Sequence, residues 1–143
     1  MTQPSADYRE YRRDYLIERP GDLNSMDYWF FEENGVYHAY FLEIMPQTPQ
    51  RKYDYRIGHA VSKDFLNWTY EGTVLDGYTD GWDDRHLATG SVAKLGDTYY
   101  MMYTGHSSTH EGMGLAMSKD LYTWERVGDK PVISLRTYYT AEY

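Results

Sequence analysis

The stretch "IGHAVSKDFLNW" (Ile57–Trp68) returns as "MGLAMSKDLYTW" (Met113–Trp124), at an offset of 56 residues. Gly58/Gly114, Ala60/Ala116, Ser62/Ser118, Lys63/Lys119, Asp64/Asp120 and Trp68/Trp124 are identical, and Ile57/Met113, Val61/Met117 and Phe65/Leu121 exchange one apolar residue for another. Alternation within the phrase is period two, the signature of a strand. Gly58, Ala60 and Ser62 fall on one side, and Ile57, His59 and Val61 on the other. The second copy sets Gly114, Ala116 and Ser118 against Met113, Leu115 and Met117. A small face and a bulky face, written twice, can nest one sheet on the next.

The repeat extends upstream, where "NGVYHAYF" (Asn34–Phe41) resembles "GDTYYMMY" (Gly96–Tyr103), with Tyr37 over Tyr99 at an offset of 62. The two offsets differ by an insertion in the loops after these strands, where insertions are tolerated. Each unit reads as four short strands: Tyr28–Glu32, Val36–Glu43, Tyr55–Ser62 and Trp68–Leu75, then Ala88–Lys94, Thr98–Thr104, Met113–Ser118 and Trp124–Ile133. Asn34-Gly35 and Gly96-Asp97 are two-residue hairpin chemistry. Ser62-Lys63-Asp64 and Ser118-Lys119-Asp120 supply side chains that close a turn on their own backbone. No stretch sustains a helical period. In "DYREYRRDYLIERP" three tyrosines fall near helical spacing before Pro20 ends the pattern, which suits an arm or a short helix.

Four strands per unit of this length is the arithmetic of β-propeller blades. A sandwich with a duplicated hairpin is the alternative, and the nesting faces favour the propeller. The expected fold is therefore all-β, a partial β-propeller of about two and a half four-stranded antiparallel blades. Residues 1–26 form an arm, 27–76 blade one and 77–133 blade two, and 134–143 begin a truncated blade three. Closed propellers need four to eight blades, so the expectation is an N-terminal part of a longer protein. If the chain stops at Tyr143, its exposed blade face is expected to drive oligomerisation.

Composition narrows the function. Fourteen basic against 22 acidic residues give a formal charge of -8, which opposes nucleic acid and anionic membrane surfaces as partners. No apolar run reaches the length of a membrane span. With no cysteine there is no disulfide framework or thiolate metal site, and the polar N-terminus lacks a signal-peptide core. The expected location is the cytoplasm. The 17 tyrosines and 4 tryptophans suit half-buried strands, and also a site where flat rings stack on sugars.

The ends of innermost blade strands converge on a propeller's channel. Asp27 enters "DYWFF" at such an end, and Thr89 overlays it in "GWDDRHLATGS", behind Asp83, Asp84, Arg85 and His86. Carboxylates from neighbouring blades are what cleavage of a glycosidic bond uses, one as base or nucleophile and one as acid. Each aspartate also has a plain reading as a turn residue or a solvated one. Trp29 and Trp82 are the candidate sugar-stacking rings. His106 and His110 have four-residue spacing but lie in a Gly/Ser loop, so a substrate rim is favoured over a metal pair. No metal or cofactor is expected.

The order "YHAYF", "IGHAVSKDFLNW", "TGSVAKLGDTYYMMYTG", "GMGLAMSKDLYTW" and "KPVI" resembles the five-bladed propeller glycoside hydrolases of families 32, 43 and 68, family 32 most closely. That family's A-x-S-x-D-x-x-x-W turns match Ala60–Trp68 and Ala116–Trp124. Its W-S-G-S strand matches Thr89-Gly90-Ser91, its Y-T-G strand end Tyr103-Thr104-Gly105, and its N-P-V-I close Lys130-Pro131-Val132-Ile133. The resemblance implies that Asp27 is the first-blade nucleophile or base. It implies that Thr89 and Ser91 line the pocket, and that the substrate is a carbohydrate with a furanosyl or related linkage. The family's Asn-Asp-Pro-Asn start reads "NSMDYW" here, and its blade-three aspartate and its glutamate acid have no counterpart. The expected acid therefore lies outside this sequence, and the chain alone should be inactive. A non-catalytic carbohydrate-binding or assembly module is the alternative.

Overall fold

The computed structural model describes residues 24–44, 55–77, 81–107 and 111–134. They form two antiparallel sheets with no helix among them. The first sheet is β1 (Asn24–Glu33), β2 (Val36–Ile44), β3 (Tyr55–Ser62) and β4 (Thr69–Leu75), in that order. The second is β5 (His86–Leu95), β6 (Thr98–His106), β7 (Glu111–Ser118) and β8 (Glu125–Arg126), and β9 (Ile133–Ser134) also pairs β7. Each sheet is an up-and-down meander, one blade. The fourth strand of the second blade is the departure from expectation. In place of one run over Trp124–Ile133 there are two short pieces, separated by Gly128 at φ 77° and by Pro131, which has no N–H to give the ladder. β1 starts at Asn24 and runs through the expected arm boundary. Residues 1–23, and all of 134–143 except Ser134, lie outside the described residues.

Hairpin chemistry follows the sequence. Asn34 (φ 52°) and Gly35 (φ 76°) both take positive φ, as the type I′ turn between β1 and β2 requires. Gly96 (φ 64°) does so at the first turn position between β5 and β6.

The repeated phrase builds one device twice. Ser62 Oγ accepts the N–H of Asp64 (3.2 Å) and of Phe65 (2.9 Å), and Asp64 Oδ1 accepts those of Leu66 (2.9 Å) and Asn67 (2.8 Å). These backbone donors, Asn67's first, hold the Asp64 carboxyl far below the usual carboxylate range. Phe65 is thereby turned into the left-handed region at φ 64°, and its carbonyl accepts the Trp68 indole N–H at 3.2 Å. Ser118, Asp120, Leu121 (φ 70°) and Trp124 repeat every one of these bonds.

The two sheets nest as the alternation demands. Tyr40, Leu42 and Ile57, on the bulky face of the first blade, share one core with Tyr99, Met101, Ala116, Leu121 and Trp124, on the small face of the second. Tyr40 donates its hydroxyl to the carbonyl of Leu121 at 2.7 Å and sets its ring on Trp124 at 5.6 Å. Lys94 and Glu33 close the joint at its edge, 2.5 Å apart. Gly114 is required by this packing, since a Cβ there would lie 2.3 Å from the Tyr103 ring. Gly58 holds the corresponding place under the Glu43 carboxylate, which accepts Tyr70 Oη (2.5 Å) and Thr73 Oγ1 (2.6 Å).

His59 is packed in the joint, fully buried, with Nε2 2.9 Å from Nδ1 of His38. One nitrogen must donate and the other accept, so the accepting ring is neutral. Tyr40 stacks on His59 at 4.7 Å, and Tyr122 meets both imidazoles edge-on. Burial, then the nearby His38, push His59 down to about 3, and burial lowers His38 as well. Asp120 near His59 and Glu33 near His38 act the other way and are outweighed. The unfolded chain therefore takes up protons below pH 6.5 that the folded chain refuses. The His59 contribution to stability is full above that pH and falls as the pH drops toward 3, by about 1.4 kcal/mol per unit, and His38 acts in the same direction. Placing the second blade's residues at the equivalent positions, His38→Tyr with His59→Leu, is expected to flatten the melting-temperature profile between pH 6.5 and 4.5. An unchanged slope in that double variant would assign the acid sensitivity to carboxylates instead.

Candidate active site

β1 and β5 are interrupted at the same place. The β1–β2 register shifts between Met26 and Trp29, and the β5–β6 register shifts between Ala88 and Gly90. Asp27 lies in the first bulge and Thr89 in the second, so the overlay expected from sequence is an overlay of two bulges. A bulge leaves a residue out of the ladder and re-aims its side chain. Asp27 sits at φ 52°, left-handed backbone that an aspartate tolerates better than most residues. The two bulges meet across the sheets, where Thr89 Oγ1 donates to Asp27 Oδ2 at 3.3 Å. Both residues are exposed, and among the described residues no other side chain bonds to the Asp27 carboxylate. One oxygen is steadied and the other faces solvent, which is how a base or nucleophile is presented. Gly90 makes the arrangement possible: a Cβ there would stand 2.4 Å from the carbonyl oxygen of Met102 and 3.2 Å from the Trp29 ring.

The other candidates divide. Trp29 was expected as a stacking ring, but it is 8% exposed and lies against Tyr40 with ring centroids 6.3 Å apart. Its ring is core beneath Asp27 and has no face to offer a sugar. Asp83 is likewise withdrawn from solvent, at 1% exposure. It accepts Tyr103 Oη at 3.0 Å and Arg126 Nε at 2.9 Å, while Arg126 Nη2 donates to the carbonyl of Asp76 at 2.5 Å. Burial, and then the Asp83 charge, raise the Tyr103 hydroxyl above its usual range, so it remains a donor. The Y-T-G strand end now has a reason: Tyr103 anchors Asp83, and Gly105 makes room for Trp82, whose ring would lie 2.6 Å from a Cβ at that position. Ser91 pairs with Met102 as Trp29 pairs with Tyr40, and it lines a groove on the second blade's outer face with Ala93, Tyr100 and Leu115.

Trp82 stays half-buried, stacked on Tyr103 at 6.3 Å. Asp84 is partly buried, and one of its carboxylate oxygens has no partner among the described residues. Arg85 is exposed, and its N–H bonds the carbonyl of His106 at 2.9 Å. His86 stacks on His106 at 4.2 Å and meets Tyr55 edge-on at 5.5 Å. Burial, then His106 and Arg85, push His86 down to about 4, so the stacked rings are neutral near pH 7. His106 is thus the last residue of β6 and not part of a loop, whereas His110 lies outside the described residues. Tyr55 and Arg126 were not among the sequence candidates. Only their positions at strand ends, known once the register is known, bring them in.

A sequence profile described as "Glycosyl hydrolases family 32 N-terminal domain" matches residues 22–142. Over 102 residues the chain is 35% identical to the 1,2-beta-oligomannan phosphorylase of Thermoanaerobacter sp. (strain X514), a match covering 67% of this chain and 34% of that protein. Over 108 residues it is 28% identical to the beta-fructofuranosidase, insoluble isoenzyme 5, of Oryza sativa subsp. japonica, covering 71% and 20%. The chain therefore spans about a third and a fifth of the lengths of these relatives. Among solved structures it resembles fructan 1-exohydrolase IIa from Cichorium intybus, at 25% identity and a TM-score of 0.65, covering 80% of this chain and 23% of that one.

Proposed function

Since the chain belongs to glycosyl hydrolase family 32, whose N-terminal domain it carries over residues 22–142, we propose that it contributes the first-blade carboxylate of a site cleaving glycosidic bonds. Asp27 is that carboxylate, nucleophile or base, and the substrate is a carbohydrate with a furanosyl or related linkage. The observation that carries the reading is the meeting of the two bulges, which sets Asp27 in solvent with Thr89 bonded to one oxygen. The proton donor is a second carboxyl from a part of the protein beyond the described residues, as a two-carboxylate mechanism demands. Trp82, Asp84, Arg85 and His86 are proposed to form the substrate rim.

A second reading concerns the acceptor, because one relative is named a phosphorylase and another a fructofuranosidase. Water as acceptor releases free sugar, and phosphate as acceptor releases a sugar phosphate. The test is turnover of aryl furanosides and a β-1,2-linked mannoside by the protein carrying this domain, with and without inorganic phosphate. Hydrolysis gives free sugar with no phosphate requirement. Sugar phosphate formed only when phosphate is added would replace hydrolysis by phosphorolysis at the same site. Glycan binding with no turnover of any of these substrates would leave a binding module and sink the catalytic reading.

A further inference from the structure

Strand parity in β1 is broken at Asp27. From Met26 to Trp29 the strand takes three steps while β2 takes two, from Leu42 to Tyr40, so Asp27 and Tyr28 together stand against Phe41. Ser25 pairs with Glu43, which shares a face of β2 with Phe41. In an unbroken strand, residues three apart point to opposite faces. Here the added residue brings Ser25 and Tyr28 to one face, where their hydroxyls share a hydrogen bond and the Tyr28 ring rests on Phe41 at 5.1 Å. That bond closes a short loop of chain around Asp27, whose backbone sits inside it at φ 52°.

The second blade supplies the control. Its bulge at Thr89 is flanked at the equivalent positions by Leu87 and Gly90, which have no hydroxyl to share. A blade of this fold therefore makes the bulge without a clamp, and the clamp is present where the bulge carries a carboxylate. We propose that Ser25 and Tyr28 are positioning residues for Asp27, holding the bulge in the one backbone conformation that aims its carboxylate at the substrate. The proposal rests on the reading of Asp27 as the reacting carboxylate. Thr89 steadies one oxygen of that group, and the Ser25–Tyr28 bond fixes the backbone from which it projects. Among the described residues neither hydroxyl bonds to the Asp27 carboxylate, so both act through its backbone. Aim matters here because a reacting group displaced by about 1 Å can lose up to about a hundredfold in rate.

The test is kinetics and amide hydrogen exchange on variants of the protein carrying this domain, with circular dichroism to establish that each folds. Tyr28→Phe keeps the ring on Phe41 and loses only the hydroxyl. It is expected to lower kcat about fivefold, the scale of one hydrogen bond, with KM near that of the parent. Ser25→Ala should match it, and the two together should cost no more than either, since a single bond is lost. Ser25→Thr, which retains a hydroxyl, should hold kcat within about twofold of the parent. In an Asp27→Asn background Tyr28→Phe should lower kcat no further, because the group being aimed has gone. Exchange at the backbone amides of residues 26–29 reads the clamp without turnover. It should quicken about fivefold in Tyr28→Phe and in Ser25→Ala, and keep the parent rate in Ser25→Thr. An unchanged kcat in Tyr28→Phe, an equal loss in both backgrounds, or unchanged exchange overturns the proposal. Turnover that survives Asp27→Asn removes the reading of Asp27 instead; the positioning role falls with it, and the exchange rates still report whether the bulge is clamped.

Discussion

Replacing Asp27 by Asn is expected to lower the glycosidic turnover of the protein carrying this domain by about three orders of magnitude, the middle of the range for loss of a positioned base. The substitution keeps the shape, the acceptor for the Thr89 hydroxyl and tolerance of φ 52°, since asparagine occupies left-handed backbone at least as readily. What it removes is the charge and the basic lone pair. The loss should therefore appear in kcat, with KM and the circular dichroism spectrum near those of the parent. Thr89→Val, which deletes one steadying bond, should cost about tenfold, in line with one modest hydrogen bond. Turnover within a few-fold of the parent in the Asn variant would remove Asp27 from the chemistry.

Arg126→Met is expected to cost about 3 kcal/mol of stability, the lower end of the range for breaking a buried ion pair. The lower end applies because the Arg126 side chain is 23% exposed whereas Asp83 is 1% exposed. The variant takes a cation from a buried carboxylate and a donor from the carbonyl of Asp76 on the first blade. Both blades loosen together, and the melting temperature should fall by roughly 10 °C. Adding Asp83→Asn to Arg126→Met should restore part of the loss, because the stranded charge goes with it. A single variant within 1 kcal/mol of the parent on chemical denaturation would show that the pair contributes little.

Much of the fold was legible because the alternation in the Gly58 and Gly114 strands states which face is small, and the nesting follows from volume alone. The hairpins were legible because Asn-Gly and Gly-Asp are backbone requirements. Strand parity gave Asp27 and Thr89 a common position, yet nothing in the sequence marks a bulge, and the bulge is what turns both side chains out of the ladder. Trp29 and Asp83 were misjudged for a related reason. Their types suit a sugar site, but the space left by Gly90 and the cation supplied by Arg126 draw them inward. Those partners are many residues away, and no local pattern carries that information. The broken fourth strand over Trp124–Ile133 could have been foreseen from Gly128 and Pro131.

The carbonyl of Leu121 receives two donors of very different origin. One is the Trp124 indole three residues along the chain, and the other is the Tyr40 hydroxyl from 81 residues earlier. The first contact closes a short loop and is available in the earliest microseconds of folding, whereas the second waits on a long closure. The turn thus forms its own hydrogen bonds before the first blade arrives. The acceptor is already aimed when it does, so the order of assembly is written into a single oxygen atom: turn first, joint second.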